Sequence, residues 1–250
     1  MKNTIILTNS NFSKNAIEKI YGGDKLKVTV IYPPVDIEKF GILDTIGNDT
    51  NTNINAEREL KDKILVISRI SRPKMIENVL LIGKELKEKH NLCHFDISIV
   101  GNISSEDTDY LQDLENIILD YNLNDNIKII TDLSLGELQK QLHKSSLYLH
   151  PTTDEPFGIS IVEAMSAGLI PIIPNKGGGA EFVPLRYQYD TIEDAAKIIA
   201  KMLTNSNNVM YNNHFMMEKE KMKKLANKFS KQKYKENFRN LIKSFLKNEI

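Results

Sequence analysis

Short runs of contiguous apolar residues alternate with longer polar stretches that carry an apolar residue every three or four positions. This rhythm covers most of the 250-residue chain. The runs "ILVIS" (64–68), "FDISIVG" (95–101), "IKIIT" (127–131), "SLYLH" (146–150) and "LIPIIP" (169–174) read as strands buried on both faces. Between them, "MIENVLLIGKELKEKH" (75–90), "SEDTDYLQDLENIILDYN" (105–122), "SLGELQKQLHKS" (134–145) and "GISIVEAMSAG" (158–168) show the helical period. Strands separated by helices of ten or more residues predict an α/β fold, a doubly wound parallel sheet with helices on both faces. Such sheets bind ligands at the carboxyl ends of their strands.

The two ends of the chain depart from this rhythm. "TIILT" (4–8) reads as a strand, "SNFSKNAIEKIYGG" (10–23) as a short helix closed by Gly22 and Gly23, and "KVTVIYPPVD" (27–36) as a strand stopped by Pro33 and Pro34. "GNDTNTNIN" (47–55) is polar, rich in Asn and without apolar period, which predicts a flexible loop. Near the other end, "TIEDAAKIIAKML" (191–203) is a helix, and residues 217–248 read as one long helical stretch. In it Tyr234, Phe238, Leu241 and Phe245 form one apolar stripe, predicted to belong to the core. The pattern divides the chain into an amino-terminal piece (1–44), an Asn-rich loop (45–58), a main domain (59–228) and a carboxy-terminal helix (229–250).

Composition narrows the partners. A hydrophobic content of 41% is enough for a sizeable core, and 33 basic residues balance 33 acidic ones, which argues against nucleic acid. The balance is uneven. From Lys197 onward, twelve lysines and one arginine face four glutamates, a surplus that suits peripheral contact with an anionic membrane surface or a solvated helix face. Cys93 is the single cysteine, expected as plain core, so no internal disulfide forms and a reducing compartment fits. The opening apolar run is too short for a signal peptide and nothing later spans a membrane, so a soluble, cytoplasmic protein is expected.

The loops after the strands hold the candidate chemistry. "SRISRPK" (68–74) gathers Arg69, Arg72 and Lys74 in a chain with five arginines. Cations before a helix N-terminus suit a diphosphate, and equally suit a helix-cap ion pair. In "HPTTDEPFGISIVE" (150–163), Pro156 keeps Glu155 in the loop, while Phe157, Gly158 and Ile159 open a helix with free backbone N–H groups. Glu163 lies more than one turn along that helix. One carboxylate before an anion-binding helix end and one behind it can accept hydroxyls on both sides of a diphosphate, the outline of a nucleotide sugar. The triplet Gly177, Gly178 and Gly179 allows close backbone approach to a ligand. His94, His143 and His150 lack metal-ligand spacing, and Ser160 lacks the setting of a hydrolase nucleophile.

With these residues in place, "EPFGISIVE" resembles the E-x7-E signature of the family-4 retaining glycosyltransferases, whose GT-B fold sets two Rossmann-like domains across a cleft. "VISRISRPK", "ISIVG", "IKIITDLSLGELQKQL" and "AGLIPIIPNKGGGAEFV" resemble further segments of that family in the same order. "TNSNFSKNAIEKIYG" and "VIYPPVDIEKF" resemble its interdomain crossing. The resemblance implies that Arg69 and Lys74 hold the donor diphosphate and stabilise it as a leaving group. Glu155 would meet the transferred hexose, Glu163 the ribose, and Leu133 the base. Backbone groups of Phe157, Gly158 and Ile159 would meet phosphate and sugar. No metal and no cofactor is implied beyond the nucleotide-diphosphate sugar itself.

Residues 1–32 match only the end of the family's amino-terminal, acceptor-binding domain; that half of the GT-B fold is largely missing. Ser68 and Met75 stand where the family has glycine, swaps expected to narrow the pocket, and Gly179 stands where a proline is common, expected to free the loop. Two functions follow. One is a retaining hexosyltransferase, or its donor-binding half, acting on a glycan or lipid-linked acceptor. The other is a nucleotide-sugar-binding subunit, inactive without an acceptor-domain partner chain or a second copy. A sugar-nucleotide epimerase fits less well. Guanine, uracil and adenine are all compatible with these residues. "NKGGGAEFV" is similar to mannosyltransferases that build lipid-linked glycans, which tilts the donor towards GDP-mannose.

Overall fold

The computed structural model describes residues 5–22, 27–41, 63–204 and 209–247. The Asn-rich loop at 45–58 lies outside the described residues. Six parallel strands form the main sheet: β3 (Lys63–Ile67), β4 (Asp96–Gly101), β5 (Ile127–Thr131), β6 (Leu147–Leu149), β7 (Ile170–Pro174) and β8 (Gln188–Tyr189). Their order is β5-β4-β3-β6-β7-β8. A separate pair, β1 (Ile6–Thr8) and β2 (Val28–Val30), is also parallel and is joined by α1 (Asn11–Tyr21).

The central strands form because most of their side chains are apolar and hidden on both faces of the sheet, whereas edge strand β5 buries only Ile127 fully. Ile64, Leu65 and Val66 of β3 have no exposed surface, and β7 is buried throughout. Burial of each such side chain stabilises by roughly 1.5–3 kcal/mol. The covering helices are α3 (Glu77–Glu88), α4 (Thr108–Asp120), α5 (Leu135–His143), α6 (Ile159–Ser166) and α7 (Ile192–Thr204). A short α2 (Ile37–Gly41) and α8 (Val209–Ala226) both pack on α6. Gly101 at the end of β4 has no room for a side chain: a Cβ there would lie 1.6 Å from the Ser68 carbonyl oxygen.

Three expectations change. The long carboxy-terminal helix is two helices, α8 and α9 (Lys231–Lys247), broken by a 3-10 turn at Asn227–Phe229. The break exists because Phe229 turns inward against Tyr32, Phe157 and Phe182, and its carbonyl accepts the Val35 N–H at 2.8 Å. The stripe of Tyr234, Phe238, Leu241 and Phe245 is not core. Each is half-buried or exposed, and Ile242 and Leu246 beside it are also exposed. Cys93 is exposed in the loop before β4 rather than buried. Among the described residues, no helix is long and apolar enough to cross a membrane.

Candidate functional site

Strand order reverses between β3 and β6, since β3 leads through α3 to β4 on one side and β6 leads through α6 to β7 on the other. A crevice must open there, beyond the carboxyl ends of both strands. It does. A cleft of about 630 Å³ is lined by Ser68, Arg69 and Lys74 from the loop after β3, and by the segment from Glu155 to Ser160 with Glu163 after β6.

The loop after β3 is held from outside the cleft. Arg72 pairs with Asp113 at 2.6 Å and lies 5.1 Å over the Tyr110 ring, while the Tyr110 hydroxyl accepts the Ile76 N–H at 2.9 Å. Arg72 is thereby committed to α4, and the cluster of three cations separates. Arg69 and Lys74 line the cleft; Arg72 does not. Thr152 Oγ1 donates to the Lys74 carbonyl at 3.0 Å and Asn78 to the Pro151 carbonyl at 3.1 Å, which ties the two site loops together. Met75 adopts the left-handed conformation at φ 51°, which favours glycine, the residue the family resemblance expects there.

Lys74 Nζ lies 2.8 Å from Glu155 Oε2, with both side chains largely screened from water. The glycine triplet explains how Glu155 is placed, and its role differs from the sequence expectation. A Cβ on Gly177 would come within 2.8 Å of the Glu155 carbonyl oxygen, and one on Gly178 within 2.2 Å of the Pro156 carbonyl oxygen. The close approach is to the chain's own Glu155 loop, where the Gly178 N–H donates to Glu155 O at 2.8 Å. None of the three glycines lines the cleft. Gly179 does not free the loop either; it is buried against Ile161 and Ile173.

Helix α6 begins at Gly158, φ 91°, with no side chain capping it. Gly158, Ile159 and Ser160 at its start line the cleft, and an uncapped helix start favours anions. The Phe157 ring is core, packed in the cluster with Tyr32, Phe182 and Phe229. Glu163 stands one turn behind the helix start, half-buried, and desolvation holds its carboxyl above the ordinary value while the Lys39 charge pulls the other way. Leu133 lines the same cleft, joined by Leu138, Ile67 and Val100. These apolar side chains come from the ends of β3 and β4 and from the segment after β5, and an apolar wall suits a flat base.

Sequence reasoning missed several contributors. His150 and Ser160 line the cleft, and Asn9 and Pro33 reach it from the amino-terminal piece. His150 is buried among Tyr148, Lys74 and Glu155, and its pKa is pushed down to about 4, by burial foremost. Glu181 was noticed only as part of a resembling loop. Its carboxylate accepts the backbone N–H groups of Asn11 and Phe12 at 3.1 and 2.8 Å and the Tyr32 hydroxyl at 2.8 Å. Its partners lie far away in sequence, which is why no local pattern marks it.

The chain is 23% identical over 261 residues to the GDP-Man:Man(3)GlcNAc(2)-PP-Dol alpha-1,2-mannosyltransferase of Dictyostelium discoideum, covering 98% of this chain and 48% of the relative. It is 26% identical over 273 residues to the alpha-1,3/1,6-mannosyltransferase ALG2 of Kluyveromyces lactis, covering 95% and 53%. It thus spans about half the length of these relatives. The crystal structure of Anabaena HepE in complex with UDP superposes with a TM-score of 0.76 at 19% identity, over 96% of this chain and 64% of that one, and establishes the shared GT-B-type α/β fold. The family model for glycosyl transferases group 1 matches residues 48–236, and the chain belongs to that family.

Proposed function

We propose that this chain is the donor-binding half of a family-4 retaining glycosyltransferase that transfers a hexose from a nucleotide-diphosphate sugar to a glycan or lipid-linked acceptor. The observation that carries the proposal is the convergence, in one cleft at the strand-order reversal, of Arg69, Lys74 and the α6 N-terminus with Glu155 and Glu163. Mannose from GDP-mannose is the favoured donor. The two mannosyltransferase relatives support that choice, and the UDP in the HepE complex supports a nucleotide as part of the ligand.

Lys74 and Glu155 neutralise each other. An arriving diphosphate competes for the Lys74 ammonium, and the released Glu155 carboxylate accepts from a hexose hydroxyl. As the bond from hexose to diphosphate breaks, negative charge grows on the leaving group. Arg69, Lys74 and the α6 amides lie where that charge develops, and a preorganised set of donors stabilises it without reorganisation. Glu163 accepts from the ribose hydroxyls, and Leu133 and Leu138 cover the base. None of these roles calls for a metal ion.

Calorimetric titration with GDP-, UDP- and ADP-hexoses tests the reading. One nucleotide sugar is expected to bind, with EDTA making no difference. Lys74→Ala is expected to weaken nucleoside diphosphate at least tenfold, the loss of one charge-assisted contact, and to leave nucleoside binding nearly unchanged. Equal weakening of both would remove Lys74 from the diphosphate site.

A second reading has its own support. The chain spans 48% and 53% of its two relatives, and the apolar stripe of α9 is uncovered among the described residues. Under this reading the chain is a nucleotide-sugar-binding subunit whose transfer activity requires a partner carrying the acceptor site, and whose lysine-rich end touches an anionic membrane. Transfer assayed with and without that partner, on liposomes, separates the two.

A further inference from the structure

The buried polar atom that the donor-site reading leaves unused is Nε2 of His150. It has no hydrogen-bond partner among the described residues, although the residue is only 4% exposed. A buried polar atom without a partner is costly, and native chains keep such atoms where a ligand or water completes them. The ring sits at the carboxyl end of β6 and lines the cleft with Lys74, Glu155 and Ser160. The same ring, with Glu155 and Thr152, also lines a small void beneath the Glu155 loop.

The other ring nitrogen is fixed. Nδ1 lies 3.2 Å from the Tyr148 hydroxyl, which in turn lies 2.8 Å from Ser160 Oγ on the first turn of α6. Tyr148 is wholly buried, and its ring stacks on the imidazole with centroids 6.2 Å apart. The imidazole is therefore held in orientation by a buried chain that runs to α6, while its far nitrogen is left buried and unpartnered on a ring that lines the cleft. Burial and the Lys74 charge keep the ring neutral, against the opposing pull of Glu155. A neutral ring offers Nε2 either as a donor or as an acceptor, according to which way the Tyr148 proton points. A hydroxyl satisfies both forms, because it donates and accepts. A phosphate oxygen satisfies only one.

We propose that His150 is a recognition residue for the transferred sugar, its Nε2 bonding a hydroxyl of the hexose beside the one taken by Glu155. The proposal rests on the donor-site reading and adds a specificity contact to it. Tyr148 and Ser160 act through the imidazole as positioning residues. His150 thus reads the sugar part of the donor and has no part in holding the nucleotide.

The test compares GDP with GDP-mannose on the full chain. Wild type is expected to bind GDP-mannose more tightly than GDP. His150→Phe is expected to erase about tenfold of that difference, the worth of one buried hydrogen bond, while GDP itself binds as before. His150→Gln, which carries a polar group near the Nε2 position, is expected to recover part of it. In ¹⁵N-histidine spectra the Nε2 resonance of His150 should move with GDP-mannose and stay still with GDP. If GDP and GDP-mannose both bind and neither His150→Phe nor the spectrum distinguishes them, the inference fails while the donor site stands. If the resonance moves equally with GDP, His150 reads phosphate, and the inference again fails. If GDP, UDP and ADP all fail to bind wild type, the donor-site reading falls and takes the inference with it; if UDP or ADP binds in place of GDP, the same comparison is read with its hexose.

Discussion

At the scale of single residues, Glu163 shows most clearly how a site for ligand differs from a site for stability. It is a half-buried acid of the cleft, desolvation raises its pKa above 4.5, and only the charge of Lys39 opposes that shift. An acid whose pKa is higher in the folded chain than in the unfolded one binds its proton more tightly when folded. Its ionised form therefore costs stability at neutral pH, and the cost is removed as pH falls through the raised value to below 4.5. Glu163→Gln is accordingly expected to raise Tm at pH 7, to lose that gain near pH 4, and to lose most of the affinity for nucleotide sugar. Scanning calorimetry at the two pH values and one titration check it. A lower Tm at pH 7 would show that the carboxylate is already well satisfied. The sign is reversed for His150, whose pKa drops from 6.5 to about 4 among Tyr148, Lys74 and Glu155. Its folded state binds fewer protons, so stability is fully present above 6.5 and declines as pH falls towards 4.

At the scale of elements, the amino-terminal β1-α1-β2 unit is held by contacts of an uncommon kind. Helix α1 has no buried residue, so apolar packing does little to fix it. Instead Glu181, from the turn after β7, occupies the α1 N-terminus and takes the Tyr32 hydroxyl as well. A carboxylate at a helix start is worth roughly 0.3–2 kcal/mol. Glu181→Ala is therefore expected to speed amide exchange across β1, α1 and β2 and to leave the six-stranded sheet protected. Unchanged exchange in α1 would refute the clamp. The same contrast explains what the sequence could show. The βα alternation from Ile64 to Leu203 is local, a period of two against a period of 3.6, and its strands and helices appear in the structure within a few residues of their expected ends. The break at Phe229, the two-residue β8 and the short α2 depend on partners far along the chain, and no local period records them. Within the site, Glu155 and Glu163 were visible through their spacing around a turn. Arg72 could be told from Arg69 only by Asp113, which sits on another helix. The glycine triplet was visible as glycine, but that it serves the Glu155 loop required the fold.

At the scale of the whole molecule, two groups stand out among exposed apolar residues that are otherwise spread over the surface. Leu7, Ile20 and Tyr21 of the amino-terminal unit are exposed, as are Phe238, Ile242 and Leu246 of α9. Tyr234 of α9 and Leu7, Ile31 and Pro33 of that unit line one shallow depression, and Pro33 also lines the donor cleft. Apolar surface gathered next to a ligand cleft marks an interface, since isolated chains seldom leave it open to water. An acceptor-binding half seated there would close the cleft and cover the α9 stripe together. Among the described residues nothing is shown to cover that surface, so a second copy can meet it in solution. Concentration-dependent self-association is therefore expected in sedimentation velocity, and the double substitution Phe238→Lys with Ile242→Lys is expected to abolish it. Donor binding should survive, because neither residue lines the cleft. A chain that stays monomeric at every concentration would show that the stripe is tolerated in water, and the case for a covering partner would then rest on the cleft alone.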